Sequence, residues 1–600
     1  MKNTWLIQGL CAAGLTSLLT LPLTPLTAAP VLGPEGMDFY SPPTITAGNH
    51  GDLIWYREAN IDLGKDAPFT RSWDVAYWSV DSNGRPNVVT GSVILPTARW
   101  SGTGSRPVLS YAVGTHGLGQ RCAPSLQLAA GTDYEQANIA AAINRGYAVL
   151  ITDNAGYTNG DTPTYLAGES QAHAAVDIVT AATQIPEAGI VDDQVAIWGY
   201  SQGGQTGAWI AEIQQDYVPD MNIVGIAAGG TPADVPYTSF NLDGDAGSAF
   251  LLGAIIGYEA EYGSAMPLYE LANNYGLQQI EVGKSQCVFE SLFNFMGDEL
   301  AQYTLDNRPL SDLITIASVN EVLTDQNLGN VKPSVPMYMY HGQADEFIPL
   351  DQHIDLKDKY CAMGSNIRFQ VFPSEHIATQ FQAAPYALDW IDDRFAGKPA
   401  FSACYTGQPE PESTANPYDG ALIFTLDNWK LDADIRLGTL RQNVILPEES
   451  TFYADSDVTN RSLIGTLNVP QFFTRLNIIL PLDVNLTIDP TLPTSGYVEL
   501  DTSGDLHIDG NAYTTVKVNS AGVGWIQIPF GCRTKEPAEF PINFDGPISD
   551  LGGGNITFSG TTTFSSMTGC GLFNGLFTVL MSGPGQQYRF NVSPPEPFTY

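Results

Sequence analysis

Positive charge is what this sequence has least of. Only 26 Lys and Arg stand against 64 Asp and Glu, for a formal charge of −38 and a pI near 4.2. That balance argues against nucleic acid as a partner, because phosphate binding needs clustered cations. It also repels anionic lipid, so any contact with an interface has to come from apolar patches. Cysteine is sparse as well: seven residues, with no Cys-x-x-Cys and no His-x-x-x-His spacing, so neither a metal nor another cofactor is expected. Long apolar runs are missing beyond the N-terminus, and with them any later candidate for a membrane helix. What remains, 44% hydrophobic and 15% charged over 600 residues, is a globular composition of two- or three-domain length.

The one long apolar run opens the chain. Met1-Lys2-Asn3 precedes an acid-free stretch from Trp5 to about Leu23, and Thr27-Ala28-Ala29 forms a small-residue exit. Residues 1–29 therefore read as a secretory signal, with Pro22 and Pro25 arguing against a permanent span, and the product is expected outside the cell or in a periplasm. Cleavage removes Cys11. The six cysteines left, 122, 287, 361, 404, 532 and 570, imply a disulfide framework whose connectivity the sequence leaves open.

The most informative stretch is Val195-Ala196-Ile197-Trp198-Gly199-Tyr200-Ser201-Gln202-Gly203-Gly204, an apolar strand pattern entering Gly-x-Ser-x-Gly and leaving into a helical one. This is the context a nucleophile elbow requires, and it makes Ser201 the candidate nucleophile and the Gln202 amide a candidate oxyanion donor. In such folds the acid and the histidine follow in that order at carboxyl ends of strands. Residues 335–340 are a buried-strand pattern running into His341-Gly342-Gln343-Ala344-Asp345, and 367–372 a second one ending in Pro373-Ser374-Glu375-His376. Asp345 and His376 are the candidates. Glu346 and Asp351 are competing acids, and His341 and His353 competing imidazoles; His341 sits at a strand exit and His353 in a helical stretch, 350–360.

Upstream, 47–107 reads as an opening antiparallel meander. Strand patterns at 108–113, 147–152, 195–200 and 223–228 then alternate with helical ones at 133–145, 170–184 and 203–214, which predicts a doubly wound sheet. A mostly helical insertion at about 233–330, containing the apolar segment 249–258, is placed to cap the serine and to supply an acyl pocket or lid. Composition changes near 405. After a linker at 405–412, residues 413–600 alternate in the manner of strands, predicting an all-β, sandwich-like domain; its internal cysteine pair and Pro594-Pro595-Glu596-Pro597 fit poorly with an outer-membrane barrel. Phe472, Phe473 and Tyr497 in it are either core residues or an apolar surface for an interface. Because the triad candidates all precede 405, residues 30–404 are expected to fold and work by themselves.

Gly-Tyr-Ser-Gln-Gly-Gly at 199–204, His-Gly-Gln-Ala-Asp at 341–345, the histidine loop at 376, Gly114-Thr115-His116-Gly117 through Cys122-Ala123-Pro124-Ser125, and the stretch from Trp78-Ser79 to Gly91-Ser92-Val93-Ile94-Leu95-Pro96 resemble the secretory lipase family. These are α/β-hydrolases related to yeast lipase A, with the nearest feel among bacterial secreted members. The resemblance runs over about residues 35–405. It implies an α/β-hydrolase domain, a second oxyanion donor among Thr115, His116 and Gly117, and disulfides Cys122–Cys287 and Cys361–Cys404, leaving Cys532 with Cys570. His116 reads as a loop residue, not a second base, since nothing in the sequence places it near a proton acceptor.

The expected function is a secreted serine hydrolase of lipid-like acyl esters, with the β-domain as a possible contact to the lipid interface. Two alternatives stand beside it: an acyltransferase using the same Ser-His-Asp site, and an envelope or adhesion protein whose hydrolase fold is a silent scaffold.

Overall fold

The computed structural model describes residues 31–42, 48–64, 67–404, 407, 409–415, 420–478, 481–552 and 556–600; the expected signal segment 1–29, Cys11 and part of the linker lie outside these. Ten strands order the first half: β1 (Val31–Leu32), β2 (Leu53–Ala59), β3 (Thr70–Val80), β4 (Pro86–Pro96), β5 (Val108–Ala112), β6 (Ala148–Thr152), β7 (Val195–Tyr200), β8 (Ile223–Gly229), β9 (Met337–Gly342) and β10 (Ile367–Phe372). They lie side by side as β1-β2-β3-β4-β6-β5-β7-β8-β9-β10. The meander β2-β3-β4 is antiparallel, and from β6 to β10 every pairing is parallel.

The parallel strands are short and apolar throughout because both of their faces are covered. Val195 and Ile197 of β7 point into a core built with helices Gly168–Thr183, Gln202–Tyr217 and Leu350–Ala362. Ala196, Trp198 and Tyr200, one residue out of step, point into the opposite core with helices Gln136–Asn144 and Ala384–Phe395. The expected strands and helices of the doubly wound part are present, with ends displaced by at most three residues. The insertion after β8 is helical, and Leu251, Leu252, Ile256 and Tyr258 of its apolar helix Ser248–Tyr262 are buried.

The second half is all antiparallel. One sheet runs from Ile423–Leu437 to Gly583–Ser593 with side chains alternating in and out, and among the described residues only the short helix Asn574–Met581 and two 3-10 turns interrupt it. It curls on itself: Phe540 of strand Ala538–Pro547 meets Phe564, Tyr588 and Phe590 of two strands it does not pair with, at ring distances of 5.2–6.2 Å. The two disulfides implied by the family resemblance, Cys122–Cys287 and Cys361–Cys404, are formed, and so is the remaining pair, Cys532–Cys570.

The expectation that residues 30–404 are self-sufficient meets a different arrangement. The chain's last strand, Phe598–Thr599, leaves the β-domain and pairs antiparallel with β10 through Gln370↔Thr599 and Val371↔Phe598. The turn Ile548–Leu551 packs on helix His376–Gln382, and Gly552 sits so close that a side chain there would meet Phe381 at 2.1 Å. Gln343, two residues before Asp345, is bonded where the linker enters the β-domain: Thr414 N–H donates to its carbonyl at 2.8 Å, and its side-chain amide donates to Glu412 O at 3.0 Å. Cap and β-domain thus bury one continuous apolar cluster, Phe289, Ile377 and Phe381 included.

Ending the chain at 404 uncovers that cluster and strips β10 of its outer partner. The fragment is expected to be insoluble, or to melt about 10 °C or more below the full chain, from the burial lost by two phenylalanines and their neighbours. A soluble 30–404 fragment with an unchanged melting temperature would overturn this.

Candidate active site

The order of the strands fixes where a site can form. From β5 the chain crosses to β6 on one side and returns on the other as β7, so the loops leaving β5 and β7 diverge and open a crevice between them. Ser201 leaves β7 into that crevice. Its backbone has φ 57° and ψ −118°, a conformation that β-carbon-bearing residues adopt only when the surroundings impose it. What imposes it is the helix Gln202–Tyr217 doubling back against β5: a side chain on Gly203 would lie 1.9 Å from the carbonyl oxygen of Ala112. The Ser201 N–H is held by Gly229 O of β8 at 2.9 Å. Gln202 is the first residue of that helix, so its N–H belongs to the set without an intrahelical acceptor and lies at the positive end of the helix.

The acid and base candidates meet. His376 Nδ1 lies 2.6 Å from Asp345 Oδ2, with both side chains buried. Asp345 Oδ1 accepts the N–H groups of Phe347 and Ile348 at 3.1 and 2.8 Å, which fixes the carboxylate. The ring of Tyr200, next to Ser201, lies 5.0 Å from that of His376, and Phe347 closes the other side at 5.3 Å. Burial works against a charge on His376, but the charge and hydrogen bond of Asp345 outweigh it, and the imidazole is raised above its ordinary 6.5.

The competing residues have other partners. His341 donates from Nε2 to Ile348 O at 2.8 Å, so its Nδ1 accepts from His353 Nδ1–H, also at 2.8 Å; burial lowers both imidazoles and keeps them neutral. His341 Nε2 is also 3.2 Å from Asp345 Oδ2, flanking the acid opposite His376. Glu346 turns away from the His376 ring and accepts the backbone N–H of His376 at 3.1 Å. Burial and then the charge of Asp345 push Glu346 up to about 8. Glu375 caps the helix that begins at His376, accepting Ala378 N–H at 2.9 Å, and is raised by burial and by Glu346.

Across the crevice is the loop that follows β5. Thr115 shares a 2.7 Å hydrogen bond with Tyr165 through its hydroxyl. Gly117, at φ 103°, is bridged to Cys287, and Val288 N–H donates to His116 O at 3.0 Å; with the Cys122–Cys287 disulfide these contacts tie the loop to the cap. The sequence offered His116 no acceptor, and here the structure differs: its Nε2 is 3.0 Å from the buried Asp133. Burial opposes the imidazolium, but Asp133 by charge and hydrogen bond, with Glu135 behind it, holds His116 at about 9. Glu135 Oε1 accepts Gly114 N–H at 2.9 Å and the side-chain amide of Gln380, so one buried carboxyl joins this loop to the helix that carries His376; burial pushes it up to about 7. Asp133 and Glu135 escaped the sequence reading. Their only signal was two acids just ahead of a helix. Among the described residues no group of three His, Cys, Asp or Glu could hold a metal ion.

A cavity begins at Thr115 and Gly117 and is lined by Leu118, Phe250, Leu252 and Phe295; Leu252 also lines a second, almost wholly apolar cavity among the cap helices.

Comparison with known proteins gives the family of the chain and the fold of its first half. A model of the family described as secretory lipase matches residues 123–403. Lipase 6 of Candida albicans is 29% identical over 62% of this chain and 83% of its own length. A Mycobacterium tuberculosis protein named Probable inactive lipase is 30% identical over 61% of this chain and 83% of its own. Candida antarctica lipase A, at 22% identity, superposes with a TM-score of 0.54 over 62% of this chain and 88% of its own, which places the first half in the same fold.

The buried groups of the site set a pH dependence of stability. Glu346, at about 8, and His116, at about 9, hold protons more tightly folded than unfolded, so their contribution is lost as pH rises toward those values. His341 and His353, lowered from 6.5, act in the opposite sense only below 6.5. From pH 6.5 to about 9 the melting temperature is therefore expected to fall, and Glu346→Gln should flatten the fall. A rising or level profile in thermal melts across that window would contradict it.

Proposed function

The chain belongs to the secretory lipase family, and from that premise we propose that it is a secreted serine carboxylic-ester hydrolase acting on lipid-like acyl esters. Family membership alone does not decide activity, given that one relative carries the name of an inactive lipase. The observation that carries the proposal is the buried 2.6 Å Asp345–His376 contact beside a serine held at φ 57° on a strand-to-helix turn.

In this reading Ser201 Oγ attacks the ester carbonyl while His376 Nε2 takes the hydroxyl proton, its other nitrogen held by Asp345. The oxyanion gathers the Gln202 N–H and a donor from the loop Thr115, His116 and Gly117, where the raised His116 adds positive charge nearby. Collapse expels the alcohol, which receives the proton from His376. Water, activated by the same imidazole, then frees the acid from Ser201. The two apolar cavities that share Leu252, one at Thr115 and Gly117 and one among the cap helices, support an acyl chain as the group bound there. Three disulfides support a product that matures in an oxidising compartment.

Ser201→Ala is expected to lower hydrolysis of a soluble p-nitrophenyl ester by about 10⁴-fold or more, and an organophosphonate should label Ser201 alone. His376→Ala should match it, while His353→Ala stays within about threefold, since that ring touches no reacting group. Retention of a tenth of the activity by Ser201→Ala would end the proposal. The acid limb of kcat/KM should fall above 6.5, because His376 must lose its proton to act, and Asp345→Asn should move that limb to lower pH.

A further inference from the structure

Large apolar side chains are exposed together at one place in the β-domain. The hairpin joining strands Asp505–Val523 and Ile526–Thr534 carries Trp525, 92% exposed, with Val523, Ile526 and Ile528 each more than half exposed. Beside it, Leu572 is fully exposed, and Leu576 and Val579 follow at the spacing of one helix face on Asn574–Met581. The opposite face of that helix, Phe577, Leu580 and Met581, is buried. The two elements form one surface: the Cys532–Cys570 disulfide joins them, Arg533 and Thr534 pair with Thr568 and Met567, and the Phe530 ring meets those of Phe573 and Phe577 at 5.6 and 5.3 Å. Single exposed apolar residues need no explanation, but a contiguous group does.

We propose that this face anchors the protein to a zwitterionic lipid surface. Charge selects the occupant. The chain carries −38, yet no charged side chain occurs between Lys517 and Arg533 or between Asp550 and Arg589, the two stretches that build the patch. An anionic membrane would be repelled by the rest of the molecule, and the carboxylate at the hairpin tip, Asp483, which accepts Gly524 N–H at 3.1 Å, is already paired with Arg475 at 2.7 Å and so offers a cationic partner little to pair with. At the border stand the exposed Arg533 and Lys535, placed to meet lipid phosphates, while an indole at the tip with aliphatic neighbours is the composition that partitions into a headgroup layer. Of the aromatics Phe472, Phe473 and Tyr497, Phe473 is exposed, Phe472 is half-buried, and the Tyr497 hydroxyl is engaged by Glu499 and Arg461; the larger contiguous apolar group is the one formed by Trp525 and the helix face.

The patch is remote from the crevice. Strand Asp505–Val523 starts beside Gly504, which rests on Phe289 of the cap, and ends at the tip, at ~3.3 Å per residue up to ~60 Å of strand. The face is therefore an anchor and not a wall of the substrate entrance. The inference deepens the lipid-ester reading but is tested apart from it.

The test uses full-length protein carrying Ser201→Ala, floated with phosphatidylcholine vesicles, with and without the triple change Trp525→Ser, Leu572→Ser, Val579→Ser. The triple variant is expected to lose vesicle binding by about tenfold or more. Made in the chain that retains the native Ser201, the triple change should leave circular dichroism unaltered and turnover of a soluble p-nitrophenyl ester within about twofold. Undiminished binding by the triple variant would overturn the proposal, as would tighter binding to phosphatidylglycerol than to phosphatidylcholine. So would a dimer of the parent protein that the triple change converts to monomer without affecting vesicle binding, since the face would then be a self-interface. Failure of the parent enzyme to hydrolyse any ester would sink the hydrolase reading and leave the vesicle result standing.

Discussion

The structure turns on one close approach, the backbone of Gly203 against the carbonyl of Ala112. It lets the helix after Ser201 lie against the strand before the crevice, and the connection between them is then too short for ordinary dihedrals. The strain at Ser201 is held because its flanks are fixed on both sides, by β7 within the buried parallel sheet and by the helix that packs on β8. Three consequences follow from this single contact. The serine points out of the sheet, the helix N-terminus faces the same crevice, and the loop after β5 is brought opposite it.

The other two members of the triad are held less locally. The Asp345 and His376 loops leave adjacent strands, so their meeting follows from the β9–β10 register. What steadies them comes from the far end of the chain. The linker grips Gln343, the turn at Ile548–Leu551 covers the His376 helix, and the terminal strand extends the sheet beyond β10. A β-domain read as an appendage is in this geometry part of the wall that keeps acid and base in register. Glu135 does similar work within the first half, with one oxygen shared by the oxyanion loop and the His376 helix.

The residues legible in the sequence were those whose roles are set by neighbours in the chain. The elbow announces itself because strand, Gly-x-Ser-x-Gly and helix are consecutive, and Asp345 and His376 because each follows a buried strand. Fully apolar runs gave the parallel strands, and a shift to alternation gave the antiparallel half. What could not be read depends on partners far along the chain. His116 needed Asp133, Glu135 needed Gly114 and Gln380, and the last strand needed β10, more than 200 residues away. A short polar segment carries no period that says which edge it will extend, and a buried acid carries no mark of the donor it will meet.

The buried carboxyls and the site chemistry pull in opposite directions along the pH scale. Hydrolysis by the proposed route needs His376 without its proton, and Asp345 makes that proton harder to remove, so the base works better as pH rises. The same rise ionises Glu346 beside the charge of Asp345, and the two neighbouring buried carboxylates then weaken the fold around the base. Neither pull can be relieved cheaply at its source. Removing the Asp345 charge would free the proton of His376 but leave the imidazole without its orienting acceptor. Removing Glu346 would quiet the carboxyl cluster but leave the His376 N–H without the oxygen that now receives it. Two constraints do not titrate at all: Cys122–Cys287 ties the oxyanion loop to the cap, and Cys361–Cys404 pins the start of β10 at the opposite end of that strand from the His376 loop, where Ala403 N–H donates to Ile367 O at 2.7 Å.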